Sequence, residues 1–428
     1  MKNFLIAMLI SCWVLPALSQ EEKSAQDYYT AAQNAYEQKD YDEFLKEIRS
    51  ANRLRPNHPV IVPRLAAAWA LSGRKIKAVQ TLNQMMLMDA SYDFENNVDF
   101  DNIRNHKNYK KLLQLQKKMS TEEVNDELFK TINAAHLHPE SFVVLENGEI
   151  LLGSIREKKI VKVSNDGQMT DWIEETPYGV MAMKPDYESG ILWVTCASLP
   201  ETIGFSKNDT GKSTVLQIRM SDAQILQGLV FEDNSTIGDI AIDKEDRIWL
   251  SNSASPYLTR NDTDTTSYLG AFSGKQFDLS DGYFNLQGLT LTEDEKYLYV
   301  SDYIKGIFRV NLDPNGNEDN IRNVKSPRSI LLKGVDGLYY HENSLIAIHN
   351  GAKPFKVMRY YLNESGDVIE REEVINRGGA SLGEPTLGQV KDGYFYYLAN
   401  SPWGAYDLKY NLDIEKIKPI EIRRYKLD

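Results

Sequence analysis

The chain is long, acidic and of ordinary globular composition. Its 428 residues are 42% hydrophobic and 26% charged, which is enough apolar material for two or three packed domains. The formal net charge of −12, with no Lys- or Arg-rich run to offset it, would repel phosphate backbones and anionic bilayers, so no nucleic acid is expected as a partner.

The N-terminus carries a pattern typical of export. Lys2 precedes an apolar run that ends in Ala-Leu-Ser, a small-x-small cleavage pattern, so we predict that residues 1–19 are a signal peptide and that the mature chain is periplasmic or secreted. An alternative interpretation takes "LISC" as a bacterial lipobox, with Cys12 as a lipid anchor. No later stretch has the ~18 apolar residues that a membrane span needs. After signal removal Cys196 is the only cysteine, so no internal disulfide is expected.

Residues 24–120 have a helical pattern with an internal repeat. Apolar residues recur at three- and four-residue spacing, and Gly and Pro stand only between the periodic segments. A step of 34 residues places Ala32 over Ala66, Tyr36 over Ala70, Phe44 over Ala78 and Ile48 over Leu82. Such residues let two antiparallel helices pack closely, and the region resembles two tetratricopeptide repeats. We predict a tetratricopeptide-like helical domain over residues 24–120; a plain helical bundle is the alternative.

Residues 125–428 show the signs of an all-β repeat. Short β-branched and aromatic runs alternate with Gly, Asn and Asp turns, and one two-strand motif recurs six times. The second strands of the six copies end at Ser154, Cys196, Asn252, Asp302, Asn350 and Asn400. The last three steps are 50, 48 and 50 residues, and a polar insert at 199–213 explains the uneven earlier ones. Repeats of this length are typical of propeller blades, so we predict a six-bladed β-propeller.

One repeat position is expected to face the central channel from every blade. Read at the start of each copy, that position holds Glu140, Gly179, Asp239, Gln287, Asp336 and Thr386. Three carboxylates and one amide from four blades are suitable ligands for a divalent cation, Ca²⁺ above all, with Zn²⁺ or Mn²⁺ as alternatives. Polar-Gly pairs at strand starts are also what a turn requires, so the same residues have a structural interpretation without any site.

The blade starts "LQGLTLTEDEKYLYVSD" and "VDGLYYHENSLIAIHNG" resemble those of the senescence-marker-protein/gluconolactonase family, with a more distant likeness to strictosidine synthases and paraoxonases. The resemblance implies a six-bladed propeller with one divalent cation held by a glutamate, two asparagines and an aspartate, and in several members the opening of lactone or ester rings. The glutamate matches Glu140 and the aspartate matches Asp336. The two asparagines match Asp239, which adds a charge, and Gln287, which is longer by one methylene group.

Two functions remain open from the sequence. In the first, the exported protein is a metal-dependent hydrolase of a lactone or ester, with Asp302, Asp239 or His349 as the base that activates water. In the second, the propeller binds a small ligand or a protein without catalysis, and the helical repeats form a docking surface for a protein partner.

Overall fold

The computed structural model describes residues 23–427 except 57, 59, 233, 262–269, 272–273 and 313–317, and the side chains of 270–271 and 318–320 are also not described. The predicted signal peptide and Cys12 lie outside these residues. The chain divides into two compact units. The first runs up to Thr81 and includes Val98–Ile103, and the second comprises Leu82–Asn97 and everything from Arg104 onward. In the described part of the chain, no helix is both long and apolar enough to cross a bilayer.

Five α-helices precede the strands. They are α1 Ala25–Glu37, α2 Tyr41–Leu54, α3 Ile61–Leu71, α4 Lys75–Met88 and α5 Lys107–Ser120, with a 3-10 helix at Val98–Ile103. A capping box starts α1, because Ser24 Oγ accepts the Asp27 N–H at 3.2 Å while the Asp27 carboxylate accepts the Ser24 N–H at 2.8 Å. The longer segment of the first unit ends within α4, and the 3-10 helix Val98–Ile103 also belongs to it. The α5 helix, predicted as part of the helical domain, belongs to the second unit.

The first unit has a core of small and bulky residues in the predicted alternation. Ala32, Ala66 and Ala70 are fully buried, which lets the helices approach closely, and Phe44 packs edge-on against Tyr36 with ring centroids 5.3 Å apart. The second helices of the two pairs, α2 and α4, start 34 residues apart, as the repeat period requires. The tetratricopeptide assignment itself stays a resemblance.

The second unit contains six sheets, which are the six blades of a β-propeller, so the predicted fold class is confirmed. The first short strand, β1, is Glu123–Val124, and the second, β2, is Glu127–Ile132. Blade 1 consists of β3 Phe142–Val144, β4 Ile150–Ser154, β5 Lys159–Val163 and β6 Met169–Ile173. Blade 2 consists of β7 Gly179–Asp186, β8 Ile191–Ala197, β9 Ser213–Arg219, β10 Gln224–Phe231 and the added β14 Gly270–Ala271.

The other four blades follow the same antiparallel order. Blade 3 consists of β11 Ile237–Ile242, β12 Ile248–Asn252, β13 Tyr257–Asn261 and β15 Lys275–Asp278. Blade 4 consists of β16 Leu286–Leu291, β17 Tyr297–Asp302, β18 Gly306–Leu312 and β19 Glu318–Asn323. Blade 5 consists of β20 Val335–His341, β21 Ser344–His349, β22 Lys356–Leu362 and β23 Ile369–Arg377, with β1 on its outer edge. Blade 6 consists of β24 Gly388–Lys391, β25 Tyr394–Leu398, β26 Ile420–Lys426 and, outermost, β2.

The ring closes in blade 6, where strands from distant parts of the sequence pair with each other. In blade 6, β2 pairs antiparallel with β26, so the N-terminal side of the propeller supplies the last strand. The buried Asp126 carboxylate reinforces this closure: it accepts hydrogen bonds from Arg423 Nη2 at 2.9 Å, from Asn376 Nδ2 at 3.1 Å and from the Tyr397 hydroxyl. The first strands of neighbouring blades contact each other around the whole ring, with β24 meeting β3.

The propeller core lies between blades rather than at the axis. Six clusters of buried apolar side chains each join two adjacent blades, and the largest fully buried side chains include Trp249, Phe308 and Tyr360. Both faces of each sheet are therefore used for packing, while the inner edges of the first strands are left to surround a central channel. This arrangement brings residues from different blades to one mouth.

Candidate functional site

The polar-Gly pairs at the blade starts lie within strands, so the turn interpretation is wrong for them. Gln287 and Gly288 belong to β16, and Asp336 and Gly337 belong to β20, each at a bulge in the pairing with the next strand. A Cβ on Gly288 would lie 2.4 Å from the carbonyl oxygen of Asp336, and one on Gly337 would lie 2.8 Å from that of Thr386. Glycine is needed here because neighbouring backbones approach so closely, which leaves the preceding polar side chain at the mouth.

Glu140 is a nearly buried carboxyl held by two side chains of blade 6. It is 6% exposed, and its Oε2 accepts the Trp403 Nε1–H at 2.8 Å and the Ser401 hydroxyl at 3.3 Å. Burial raises the pKa of Glu140 well above its usual range, and the negative charge of Asp336 raises it further. Trp403 sits in the long connection between β25 and β26, so that connection positions Glu140.

Asp336 and Glu384 complete the acidic mouth. Asp336 Oδ2 accepts a 2.6 Å hydrogen bond from Asn350 Nδ2, and Asn350 Oδ1 in turn accepts the Tyr303 hydroxyl at 3.0 Å. Burial raises the pKa of Asp336 to about 7, with further contributions from the charges of Asp239 and Glu384. Burial also raises the pKa of Glu384. Glu140, Asp336 and Glu384 come from blades 1, 5 and 6, and we refer to these three as the acidic mouth.

Glu384, Trp403 and Asn350 were not predicted as site residues. The sixth copy of the motif begins at Glu384, but the aligned position fell on Thr386, whose hydroxyl bonds the Glu140 carbonyl oxygen at 2.9 Å. Asn350 stands at a predicted second-strand end, which is the one sequence signal that marks it. Trp403 lies outside every repeat unit, and nothing in the local sequence indicates its contact with Glu140.

Asp239 accepts backbone N–H groups, and Gln287 donates a hydrogen bond through its amide nitrogen. The Asp239 carboxylate accepts the N–H of Ile240 at 2.8 Å and, across the blade boundary, the N–H of Leu289 at 3.1 Å. Burial raises the pKa of Asp239 to about 6, against the opposing effect of these bonds and of the Lys184 charge. Gln287 Nε2 donates to Asn285 Oδ1 at 2.7 Å. Asp239 thus fastens blade 3 to blade 4.

The two other predicted bases occupy structural positions. Asp302 is fully buried, and its two oxygens accept four backbone N–H groups, those of Phe284, Asn285, Ile304 and Lys305, at 2.6 to 3.1 Å. His349 is also fully buried: Nδ1 lies 3.0 Å from the Lys333 carbonyl oxygen and Nε2 lies 2.8 Å from the Tyr360 hydroxyl. Burial lowers the pKa of His349 well below its usual range. Both side chains have their hydrogen-bonding atoms occupied.

The predicted divalent-cation site of Glu140, Asp239, Gln287 and Asp336 stays a prediction. In the part of the chain that the structure describes, no group of three or more His, Cys, Asp and Glu side chains is arranged to hold one. Both carboxylate oxygens of Asp239 accept backbone N–H groups.

Comparisons with known proteins find structures of similar fold but do not assign the chain to a family. No family profile matches the sequence, and no curated protein matches it. The PQQ-bound aldose sugar dehydrogenase of Streptomyces coelicolor is 12% identical, with a TM-score of 0.47 over 72% of this chain and 98% of its own. Virginiamycin B lyase of Staphylococcus aureus is 15% identical, with a TM-score of 0.43 over 72% and 100%. A gluconolactonase of Xanthomonas campestris is 10% identical, with a TM-score of 0.44 over 71% and 95%. Similarity at this level carries no argument about activity.

Proposed function

We propose that the protein binds a small polar ligand at the acidic mouth of its propeller. The observation that supports this most directly is the convergence of Glu140, Asp336 and Glu384 from three blades, each with its pKa raised by burial. A buried carboxyl with a raised pKa lowers the stability of the folded protein at neutral pH, and such groups occur most often at functional sites. A ligand that bonds to them offsets that cost.

The chemistry of the mouth favours a ligand with hydroxyl or amine groups. Near neutral pH a carboxyl with a pKa of about 7, such as that of Asp336, is divided between its protonated form, which donates, and its ionised form, which accepts. Asn350, Tyr303 and Trp403 surround the carboxyls with neutral donors and aromatic surface. Sugars, sugar acids and small amines present complementary groups.

Ligand binding is tested with the full chain by a thermal-shift screen of polyols, sugar acids and amines. We expect at least one class to raise the melting temperature, and Glu140→Gln and Asp336→Asn to abolish the shift. Asp281→Asn, which removes an exposed carboxylate, is the matched control and should retain it. A ligand whose shift survives both mouth substitutions would place binding elsewhere and contradict the proposal.

Hydrolysis of a lactone or ester is the second candidate. Glu140 and Asp336 influence each other's ionisation, and two neighbouring carboxyls with raised pKa values can divide the roles of acid and base. Ionised Asp336 would take a proton from the attacking water, and protonated Glu140 would donate a hydrogen bond to the carbonyl oxygen. Asp336 would then return that proton to the leaving oxygen as the C–O bond of the ester or lactone breaks. A panel of lactones and aryl esters tests this: turnover that falls about a hundredfold in Glu140→Gln and Asp336→Asn supports it. No turnover by the wild type, or equal turnover by these variants, argues against it.

Export is also proposed, on the pattern of residues 1–19. Localisation of the tagged full-length chain, compared with a variant that lacks those residues, tests it. Retention of both forms inside the cell would show that the segment is not an export signal.

A further inference from the structure

The helical unit carries a segment whose charge is opposite to that of the whole protein. The chain has no dense Lys- or Arg-rich run, but residues 48–81 contain seven dispersed Lys or Arg residues and no Asp or Glu, in a chain of net charge −12. The seven are Arg49, Arg53, Arg55, Arg64, Arg74, Lys75 and Lys77. The segment covers the end of α2, all of α3 and the start of α4, so the cations belong to one continuous part of the first unit.

Three of these cations gather around one buried indole. The Trp69 ring lies 5.4 Å from the Arg49 guanidinium, 5.9 Å from that of Arg74 and 4.9 Å from Lys77 Nζ. Trp69 itself is only 8% exposed. An indole attracts a cation to each of its two faces, so it accounts for two positive groups and not for three that also repel one another. We call Arg49, Trp69, Arg74 and Lys77 the Trp69 patch.

The cations of the Trp69 patch have no counter-ion of their own. Arg49, Arg74 and Lys77 are exposed, and none of them forms an ion pair with any residue that the structure describes. Elsewhere in the same unit acids are used where helix stability favours them: the first turns of α1 and α2 carry Asp27, Asp42 and Glu43. The first turns of α3 and α4 carry no acid.

The first turn of α4 carries cations at a position where they destabilise a helix. Lys75 and Lys77 stand in its first turn, where the helix dipole is positive and favours acidic side chains. Local stability therefore does not explain these lysines. Their charge, the guanidinium groups beside Trp69 and the positive end of the helix together form a surface that favours an anion.

We propose that the Trp69 patch is a docking surface for an acidic segment of a protein chain. Charge complementarity determines the sign of the partner. Apolar side chains in the same elements are also exposed, Ile76 by 62% and Leu54 by 49%, which suits a segment that alternates acidic and apolar residues. Long polyanions such as duplex DNA, and anionic bilayers, extend beyond the patch and are repelled by the rest of the chain.

The test is fluorescence anisotropy of the full chain with a labelled peptide of about twelve alternating Glu and Leu residues. Docking predicts that a matching Gln-Leu peptide binds about tenfold more weakly and that affinity falls as salt rises. It also predicts a change in Trp69 emission on binding that is lost in Trp69→Phe. The triple variant Arg49→Gln/Arg74→Gln/Lys77→Gln should lose about tenfold in affinity.

The control variant Lys107→Gln/Lys110→Gln/Lys111→Gln removes the same charge from exposed positions of α5 and should bind like the wild type. Circular dichroism checks that both triple variants keep the wild-type helix content. Equal binding of the Gln-Leu peptide, or equal losses in the two triple variants, would overturn the proposal. Tighter binding of duplex DNA or of phosphatidylserine vesicles than of the Glu-Leu peptide would overturn it as well.

Discussion

Asp336 is expected to destabilise the folded chain at neutral and alkaline pH, and asparagine at this position should recover that stability. Burial raises the pKa of Asp336 from 3.8 to about 7, against the hydrogen bond from Asn350 and together with the charges of Asp239 and Glu384. In the unfolded chain the same carboxyl titrates near pH ~4. The folded state therefore holds the proton more tightly, so the free energy of unfolding falls as pH rises from about 4 to about 7.

The size of the effect follows from the shift. About three pKa units correspond to about 4 kcal/mol, and because Asp336 keeps some contact with water at the mouth, we expect about 2–4 kcal/mol at pH ~8. Asparagine retains an oxygen to accept the Asn350 amide, so Asp336→Asn should be more stable than the wild type by this amount at pH ~8. At pH ~4 the carboxyl is neutral in the folded state and about half neutral in the unfolded chain, so the two proteins should differ by less than about 0.5 kcal/mol.

Urea denaturation of the full chain, followed by near-ultraviolet circular dichroism from pH ~4 to ~8, measures this difference. Asp281→Asn, at an exposed position, should follow the wild-type curve at every pH. If Asp336→Asn runs parallel to the wild type over the whole range, or is less stable at pH ~8, the mouth is not electrostatically strained as described.

Three further changes have defined outcomes. If Glu140 and Asp336 hold a cation, the wild type should melt at a higher temperature with Ca²⁺ than with a chelator, and Asp336→Ala should melt at the same temperature in both. An unchanged melting temperature of the wild type would contradict the metal site. Trp403→Phe removes the N–H that donates a hydrogen bond to Glu140, so the pKa of Glu140 should rise further. An NMR titration of the Glu140 carboxyl carbon measures this pKa. An unchanged titration midpoint would contradict the contact. Asp126→Asn removes the buried carboxylate that pairs with Arg423 and leaves Glu421 as its only ion-pair partner among the described residues, so we expect a cost of about 3 kcal/mol in urea denaturation. Adding Arg423→Met should recover most of this cost. A cost below about 1 kcal/mol would show that the ring closure does not depend on the Asp126–Arg423 pair.

The number and order of the blades could be predicted from the sequence because they depend on local patterns. Alternation within each strand and the near-constant step between Asn252, Asp302, Asn350 and Asn400 are set by residues close together in the chain. The third strands show the same local alternation: β5, β18 and β22 begin at Lys159, Gly306 and Lys356. The helical repeats are likewise periodic, and Ala32 and Ala66 are buried as their spacing requires.

Side-chain destinations could not be predicted in this way. Asp239 occupies the same repeat position as Asp336, yet its carboxylate turns to the Leu289 backbone of the next blade, because the bulge in β16 leaves that N–H available. Asp302 stands at a strand end like Asn350, but it accepts four backbone N–H groups while Asn350 reaches Asp336. One repeat position therefore serves different purposes in different blades.

The sequence by itself determined a period, a strand pattern and a charge distribution, since each is a property of neighbours along the chain. It therefore determined the propeller fold and the basic segment around Trp69. Only the tertiary structure decided which acids share one mouth. Glu384 lies at the same mouth as Glu140, and Trp403 donates a hydrogen bond to Glu140 although more than 260 residues separate the two in the chain. Such contacts depend on how six blades close into a ring. Hydrogen-bond geometry between blades, which no local pattern encodes, separates a site carboxylate from a structural one.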